Sequence, residues 1–327
     1  MFLFLSSEDT FVTILILVLA IILAFTLGWN NSGLTTGALS NLVQYGVALG
    51  ITLLGILVGL FAEGSKMSQS ILGNLIPSNA PVEAVIAGLA ASVILFLLLT
   101  MIRIPVSLSN CVVGAFVGVA LSGGLPINGA HLTEIVISWF LAPFFCVLVS
   151  IAIYEIIIWA ESSRSLVSIS WANRIVLLVS VFYISYALGA NNLGLILSFI
   201  GSINYSFFSG IQFVSIEVVV FLAFACAAIL FGRAIAKVIG DKFVVLSQIK
   251  TLAALLGGAT VIWTFTQFSV PVSMTQVVIG GMLGAGLARG PTIINKTEVA
   301  TVVRDWGLVT VFCAGLGYAL ETVIRFV

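Results

Sequence analysis

Long apolar stretches separated by short polar segments make up almost the whole chain. Each stretch is long enough for an α-helix to cross a bilayer core of roughly 30 Å. Strands of a membrane β-barrel would be shorter and would alternate in polarity, which these stretches do not. The pattern therefore predicts membrane-spanning helices. The predicted spans are 10–29, 43–62, 80–102, 105–122, 134–160, 172–190, 211–231, 250–268, 271–287 and 304–326.

The composition supports an integral membrane protein. Hydrophobic residues make up 61% of 327 and charged residues only 7%, and the mean hydropathy is +1.27. A soluble domain is about half apolar and about one quarter charged, so we expect membrane lipid to cover most of this surface. The net charge of zero gives no indication of nucleic acid. The first apolar stretch follows Glu8 and Asp9 and no basic residue, so we expect a retained span and not a cleaved signal peptide.

Two polar motifs occur once in each half of the chain, in the same order. Leu-Gly-Trp-Asn-Asn at 27–31 is matched by Leu-Gly-Ala-Asn-Asn at 188–192. Pro-Val-Ser-Leu-Ser-Asn at 105–110 is matched by Pro-Val-Ser-Met-Thr-Gln at 271–276. We infer that the chain is a duplication.

The distribution of basic residues predicts that the two halves have opposite orientations. Lysine and arginine are frequent in 232–250 and 288–304, whereas the equivalent segments 63–79 and 123–134 contain only Lys66. Cytoplasmic loops carry the excess of basic residues, so equivalent loops lie on opposite sides of the membrane. This interpretation places the N-terminus outside the plasma membrane.

The predicted fold is an all-α, multi-pass membrane protein with two inverted-topology repeats, residues 1–165 and 166–327. We expect broken or re-entrant helices and about 10 to 12 membrane segments, as in secondary transporters, which hold their substrate near the bilayer midplane.

The repeated motifs supply the candidate substrate site. Gly28–Thr36 and Gly189–Asn192 are expected to interrupt apolar helices, and the residues after Pro105 and Pro271 are expected to begin new ones. A helix N-terminus has free N–H groups and a partial positive charge, so it binds anions without a formal cation. The alternative is that these polar residues only join membrane helices. The candidate substrate-binding residues are Asn30, Asn31, Ser32, Ser107, Ser109, Asn110, Asn191, Asn192, Ser273, Thr275 and Gln276.

The motifs resemble those of the inorganic phosphate transporter (PiT) family, whose halves each carry Gly-Ala-Asn-Asp-x-Ala-Asn and, later, Pro-Val-Ser-Thr-Thr-His. The resemblance runs nearly end to end and includes the Gly64-Ser65-Lys66 segment and the spans of Trp139 and Trp306. It implies that the paired asparagines and the Ser/Thr residues line the site of an inorganic anion.

The chain departs from the family at charged positions. The family aspartates are Asn31 and Asn192 here, and the family histidines are Asn110 and Gln276. Amide NH₂ groups and hydroxyls donate hydrogen bonds whereas a carboxylate can only accept. A site without carboxylates suits a fully ionised anion, so both phosphate and sulfate remain candidates. The loss of carboxylates also favours protons over sodium as the coupling ion.

Two charged residues are further candidates. Arg103 is either a cytoplasmic flank or, if Pro105 marks a re-entrant tip, a fixed cation near the substrate. Glu217 falls within a span and is the preferred proton relay, because ionisable residues inside membranes are functional candidates.

The sequence predicts a cation-coupled carrier with no cofactor and no metal site. An anion channel is the first alternative, since helix-end anion sites also serve pores. A membrane-embedded enzyme is a remote alternative, because no nucleophile with a base and no metal-ligand cluster is apparent. A homodimer is the assembly to test.

Overall fold

The computed structural model describes residues 7–37, 43–102, 104, 106–162, 166–200, 213–242, 246–289 and 296–326, and these are nearly all helical. The helices are α1 (Ser7–Gly37), α2 (Tyr45–Glu63), α3 (Val82–Met101), α4 (Leu108–Gly123), α5 (Gly129–Glu161), α6 (Leu166–Leu188), α7 (Gly194–Ile200), α8 (Phe213–Lys242), α9 (Gln248–Gln267), α10 (Met274–Leu287) and α11 (Lys296–Phe326). A 3₁₀ turn, Gly64–Met67, follows α2, and a π-helical segment, Gly189–Leu193, joins α6 to α7.

Each of the ten predicted spans coincides with a helix, and the all-α membrane fold is confirmed. Within the described ranges, eight helical segments are long and apolar enough to cross a membrane. The other two predicted spans, 105–122 and 271–287, are the short helices α4 and α10, with 16 and 14 residues. At 1.5 Å per residue they reach about 24 and 21 Å, less than a bilayer core.

The contacts divide ten of the helices into two groups of five. In the first group, α1 packs on α3 and α8, and α4 and α11 pack on α3 and on each other. In the second group, α6 packs on α2 and α9, and α5 and α10 pack on α9 and on each other. Each group takes three helices from one half of the chain and two from the other, so the halves are interleaved.

Glycines set the close packing within the groups. In α4 and α11, Gly114 lies against the backbone carbonyl of Thr310, and Gly118 lies against that of Ala314. Residue numbers therefore rise together along both helices, which run parallel. A side chain at either glycine would collide with the neighbouring backbone, so only glycine allows this approach.

The equivalent pair in the second group has the same geometry. Gly280 of α10 lies against the Pro143 carbonyl of α5, and Gly284 lies against that of Val147. These contacts repeat those of α4 with α11 at matching positions of the two halves.

Candidate functional site

The two short helices begin at buried serines. Ser107 accepts a hydrogen bond from the Asn110 amide of α4 at 3.2 Å, and Ser273 accepts one from the Gln276 amide of α10 at 3.3 Å. Both serine side chains are at most 2% exposed. A serine cap satisfies one of the first four N–H groups of a helix. The other first-turn N–H groups and the positive end of the helix dipole remain.

The segments that precede these helices meet in the interior. The Thr275 hydroxyl donates to the Val106 carbonyl at 3.2 Å, which joins the first turn of α10 to the tip between α3 and α4. We call the connection from α3 to α4 the first tip and the connection from α9 to α10 the second tip. The two tips therefore lie together, and each leads into a helix N-terminus. The structure brings the described part of the first motif, from Val106 onward, and the second motif to one place.

Asn30 of α1 holds the first tip. Its Nδ2 donates to Thr100 Oγ1 at 3.0 Å and to the Ile104 carbonyl at 3.4 Å. Since a carbonyl only accepts, these bonds fix which end of the amide is Nδ2. Asn30 therefore positions the connection between α3 and α4.

Asn191 and Asn192 hold the second tip in the same way. Asn191 Nδ2 donates to Thr266 Oγ1 at 3.0 Å and to the Val270 carbonyl at 3.1 Å, and its Oδ1 accepts from the Val272 amide at 3.2 Å. Asn192 Nδ2 donates to the Val272 carbonyl at 3.3 Å. Asn30 thus places the first tip, and Asn191 with Asn192 places the second tip, relative to a long helix.

Thr100 and Thr266 were not predicted as site residues. They occupy matching positions just before the two Pro-Val-Ser motifs, and both are fully buried. Their position in the repeat was a signal that could have identified them.

The first motif does not interrupt its helix, contrary to our expectation. α1 continues without a break through Gly28–Thr36 to Gly37, so no helix N-terminus forms there. The second motif forms the π-helical segment Gly189–Leu193 inside one long helix. Gly28 and Gly189 instead provide close packing, since they lie against the carbonyls of Phe224 and Ile56.

The free polar atoms around the tips are mainly acceptors. Four amide oxygens are buried without a hydrogen-bond partner among the described residues: Asn30 Oδ1, Asn31 Oδ1, Asn192 Oδ1 and Gln276 Oε1. The NH₂ groups of Asn30, Asn191 and Asn192 are already engaged by the tips. Asn30 and Asn191 each use both N–H donors of the amide in the described contacts, whereas Asn192 uses one of its two. That these residues bind the anion stays a prediction.

Hydroxyl groups near the tips also make hydrogen bonds within the protein. Ser107 donates to Asn110 Oδ1 at 2.7 Å and lies 3.0 Å from Ser109 Oγ. Asn110 Nδ2 donates to the Trp306 carbonyl at 3.1 Å. Ser32 is buried but lies against Gly232 of α8, so its contact is with a helix and not with a tip.

Of the two charged candidates, only Glu217 is described by the structure, and it lies apart from this arrangement. Glu217 is 5% exposed on α8, seven residues before Phe224, which places it about 10 Å along the helix from the Gly28 contact. Arg103 lies outside the described residues. The part of the chain that the structure describes contains no group of three or more His, Cys, Asp or Glu side chains that could hold a metal.

A polar cluster attaches the second tip to the 3₁₀ turn after α2. Lys66 Nζ contacts Glu63 Oε1 at 2.8 Å and also bonds Gln267 Oε1, while Gln267 Nε2 donates to Glu63 Oε2 at 3.2 Å. Ser269, with a φ of 58°, donates to the Lys66 carbonyl at 2.6 Å. The sequence did not reveal this cluster, because its members are separated by about 200 residues.

A cavity of about 580 Å³ borders the site between α5 and α11. Among the predicted site residues, Asn110 and Gln276 line it, and the rest of its lining is largely apolar. The other substrate-binding candidates are buried and lie outside this lining.

Comparisons with known proteins agree with this architecture. A model of the phosphate transporter family matches residues 5–150 and 161–317. A solved structure described as the sodium-dependent phosphate transporter superposes with a TM-score of 0.81 and 18% identity, over 97% of this chain and 100% of that one. That likeness shows the fold.

Curated relatives include permeases for two anions. A protein of Methanocaldococcus jannaschii named as a phosphate permease is 24% identical over 94% of this chain and 96% of its own length. The sulfate permease of Bacillus subtilis is 26% identical over 89% of this chain and 83% of its own. A low-affinity inorganic phosphate transporter of Mycobacterium leprae is 26% identical over 94% of this chain and 76% of its own.

Proposed function

Since the chain belongs to the phosphate transporter family, we propose that it carries inorganic phosphate across the membrane together with a cation, by alternating access. It is a multi-pass membrane transporter and not an enzyme. Phosphate takes precedence over sulfate because the family and several relatives are named for phosphate.

One observation carries the proposal: the two serine-capped N-termini of α4 and α10 meet through the bond from Thr275 to Val106. First-turn N–H groups and the positive ends of two helix dipoles then act on one place. Such an arrangement binds an anion without a formal cation.

The unpartnered oxygens favour hydrogen phosphate over sulfate. Asn30, Asn31 and Asn192 each present a buried amide oxygen with no donor among the described residues, and buried polar groups normally form hydrogen bonds. The proton of hydrogen phosphate supplies a donor, whereas sulfate at neutral pH only accepts. The similarity to a sulfate permease keeps sulfate as the competing substrate in the test.

The same oxygens bear on the coupling ion. A divalent anion that enters against 100 mV, inside negative, is opposed by about 4.6 kcal/mol, at about 2.3 kcal/mol per charge, so concentrative uptake needs a cation. Amide oxygens resemble the carbonyls that coordinate sodium in transporters, which makes sodium a candidate at Asn31 and Asn192. Protons, carried by Glu217 or by the phosphate itself, remain the prediction from the missing carboxylates.

The packing direction of the helices supports an inverted repeat. Gly55 of α2 lies against Phe182 of α6, and Gly59 lies against Tyr186, so α2 and α6 run parallel. If α1 and α2 cross the membrane in opposite directions, α6 then opposes α1. The first helices of the two halves are in that case antiparallel.

Uptake into proteoliposomes tests the proposed function. Labelled phosphate should accumulate saturably, unlabelled phosphate should compete better than sulfate, and imposed sodium or proton gradients should be tried separately. If a sodium gradient drives uptake, and uptake is lost when choline replaces sodium, the amide oxygens are assigned to sodium binding. If a lower pH outside drives uptake, and sodium has no effect, the coupling ion is the proton. Preference for sulfate, or single-channel currents, would contradict the proposal.

A further inference from the structure

The 580 Å³ cavity lies where the two groups of helices separate. α5 and α10 of the second group form one side, and α4 and α11 of the first group form the other. The lining pairs equivalent positions of the two halves, such as Trp139 with Trp306 and Asn110 with Gln276. The cavity therefore lies on the boundary across which the groups face each other.

The cavity has too few polar partners to be filled by ordered water. The polar groups Asn110 and Thr310 both donate to the Trp306 carbonyl, at 3.1 and 3.0 Å. Within the part of the chain that the structure describes, atoms without a partner remain on Gln276 and on the Trp139 and Trp306 indoles, enough for one or two waters with about three partners each. At about 30 Å³ per water the cavity would need roughly 20.

The cavity is continuous with the lipid-facing surface. Phe140 and Phe144 of α5 are 72% and 57% exposed, and Val311 of α11 is 69% exposed, and all three belong to the lining. α5 and α11 are long apolar helices of the kind that cross a bilayer. The medium at this opening is therefore hydrocarbon.

We propose that an acyl chain of a membrane lipid occupies this cavity as a wedge between the two groups of helices. The volume falls in the range of about 300 to 1,000 Å³ typical of ligand pockets, which are also mainly apolar and aromatic. The acyl chain contacts Asn110 and Gln276 of the lining. Both residues lie in the first turns of α4 and α10, beside the proposed anion site. Movement of one group against the other changes the space that the chain fills.

Brominated lipid tests the proposal, because bromine quenches tryptophan fluorescence at short range. The reporter variant keeps Trp139, which is 8% exposed and therefore poorly accessible to bulk lipid. In bilayers whose acyl chains are brominated at mid-chain, the fluorescence of Trp139 should be quenched. Gly307→Phe adds a side chain that fills the cavity from the wall opposite Trp139, and it should restore the fluorescence to the level in unbrominated lipid. The reporter carries Trp29→Phe, Trp159→Phe, Trp171→Phe, Trp263→Phe and Trp306→Phe.

The control is Gly315→Phe on the same helix. An added side chain meets nothing within 4 Å at either Gly307 or Gly315, but only Gly307 lines the cavity. Quenching that persists in Gly315→Phe and disappears in Gly307→Phe supports the acyl chain. Equal quenching in both variants overturns it. If Trp139 is not quenched and the protein cross-links as a dimer through α5 or α11, a second copy of the chain occupies the cavity. That result also overturns the proposal.

Discussion

Asparagine serves two purposes around the tips that aspartate could not combine. An amide donates through Nδ2 and accepts through Oδ1, whereas an ionised carboxylate only accepts. Asn191 uses both ends, because it donates to the Val270 carbonyl and accepts from the Val272 amide. The buried oxygen of Asn31 has no partner among the described contacts, so a carboxylate at that position would keep the acceptor and add a charge.

Asn191→Ala should destabilise the protein. The change leaves the Val272 amide and the Val270 carbonyl without this partner, and each unsatisfied buried group costs about 1 to 3 kcal/mol. Unfolding of the purified protein in detergent measures the effect. Ser180→Ala on the same helix is the control, since Ser180 makes only a local bond to the Val176 carbonyl in the described contacts. Equal stability of the two variants would show that Asn191 does not hold the tip.

Asn31→Asp should increase the response of uptake to sodium. A carboxylate placed among buried amide oxygens offsets the charge of a bound cation, which a neutral amide cannot do. Half-maximal uptake should need less sodium than in the wild type. Uptake that is indifferent to sodium in both proteins would remove Asn31 from the cation site and favour protons.

The half-length helices α4 and α10 are the elements on which the site depends. Their starts were predictable, because Pro-Val-Ser combines a helix breaker with a good N-cap. The unbroken course of α1 was not predictable, since the propensities of Gly, Asn and Ser indicated a break at Gly28–Thr36. Tertiary packing outweighs those local preferences, here through Gly28 against Phe224. The repeat could have indicated Thr100 and Thr266, but their hydrogen-bond partners Asn30 and Asn191 are remote in sequence, so no local pattern could assign the contacts.

Gly280→Val should force α10 away from α5. An added Cβ at Gly280 would lie 2.5 Å from the Pro143 carbonyl oxygen, and backbone cannot rotate away as a side chain can. Overpacking of this kind costs about 1 to 3 kcal/mol, and we expect lower thermal stability together with slower uptake. Gly315→Val, at a position with open space, should keep both. A Gly280→Val protein as stable as the wild type would contradict this packing.

At the scale of the whole molecule, the two halves exchange helices to build the site. α4 packs on α11 and α10 packs on α5, so each helix of the proposed anion site is supported by a helix from the other half. Two-fold duplication predicts that Ser107 and Ser273 contribute alike, although they come from different repeats. The N-termini of α4 and α10 meet at the boundary between the two groups of helices. This position suits a substrate site that is exposed to each side of the membrane in turn.

Phosphate uptake by Ser107→Ala, Ser273→Ala and Ser122→Ala proteins is the most direct test of this account. Ser122 lies at the far end of α4 and bonds Thr322 at 2.7 Å, so its loss should leave phosphate affinity unchanged. Loss of either hydroxyl removes the N-cap of a helix whose first-turn N–H groups face the proposed anion site, which costs about 1 kcal/mol; the same loss of phosphate binding raises the half-saturating phosphate concentration roughly five-fold. The account predicts this rise in both cap variants. Wild-type affinity in both, or an equal loss in Ser122→Ala, would contradict it.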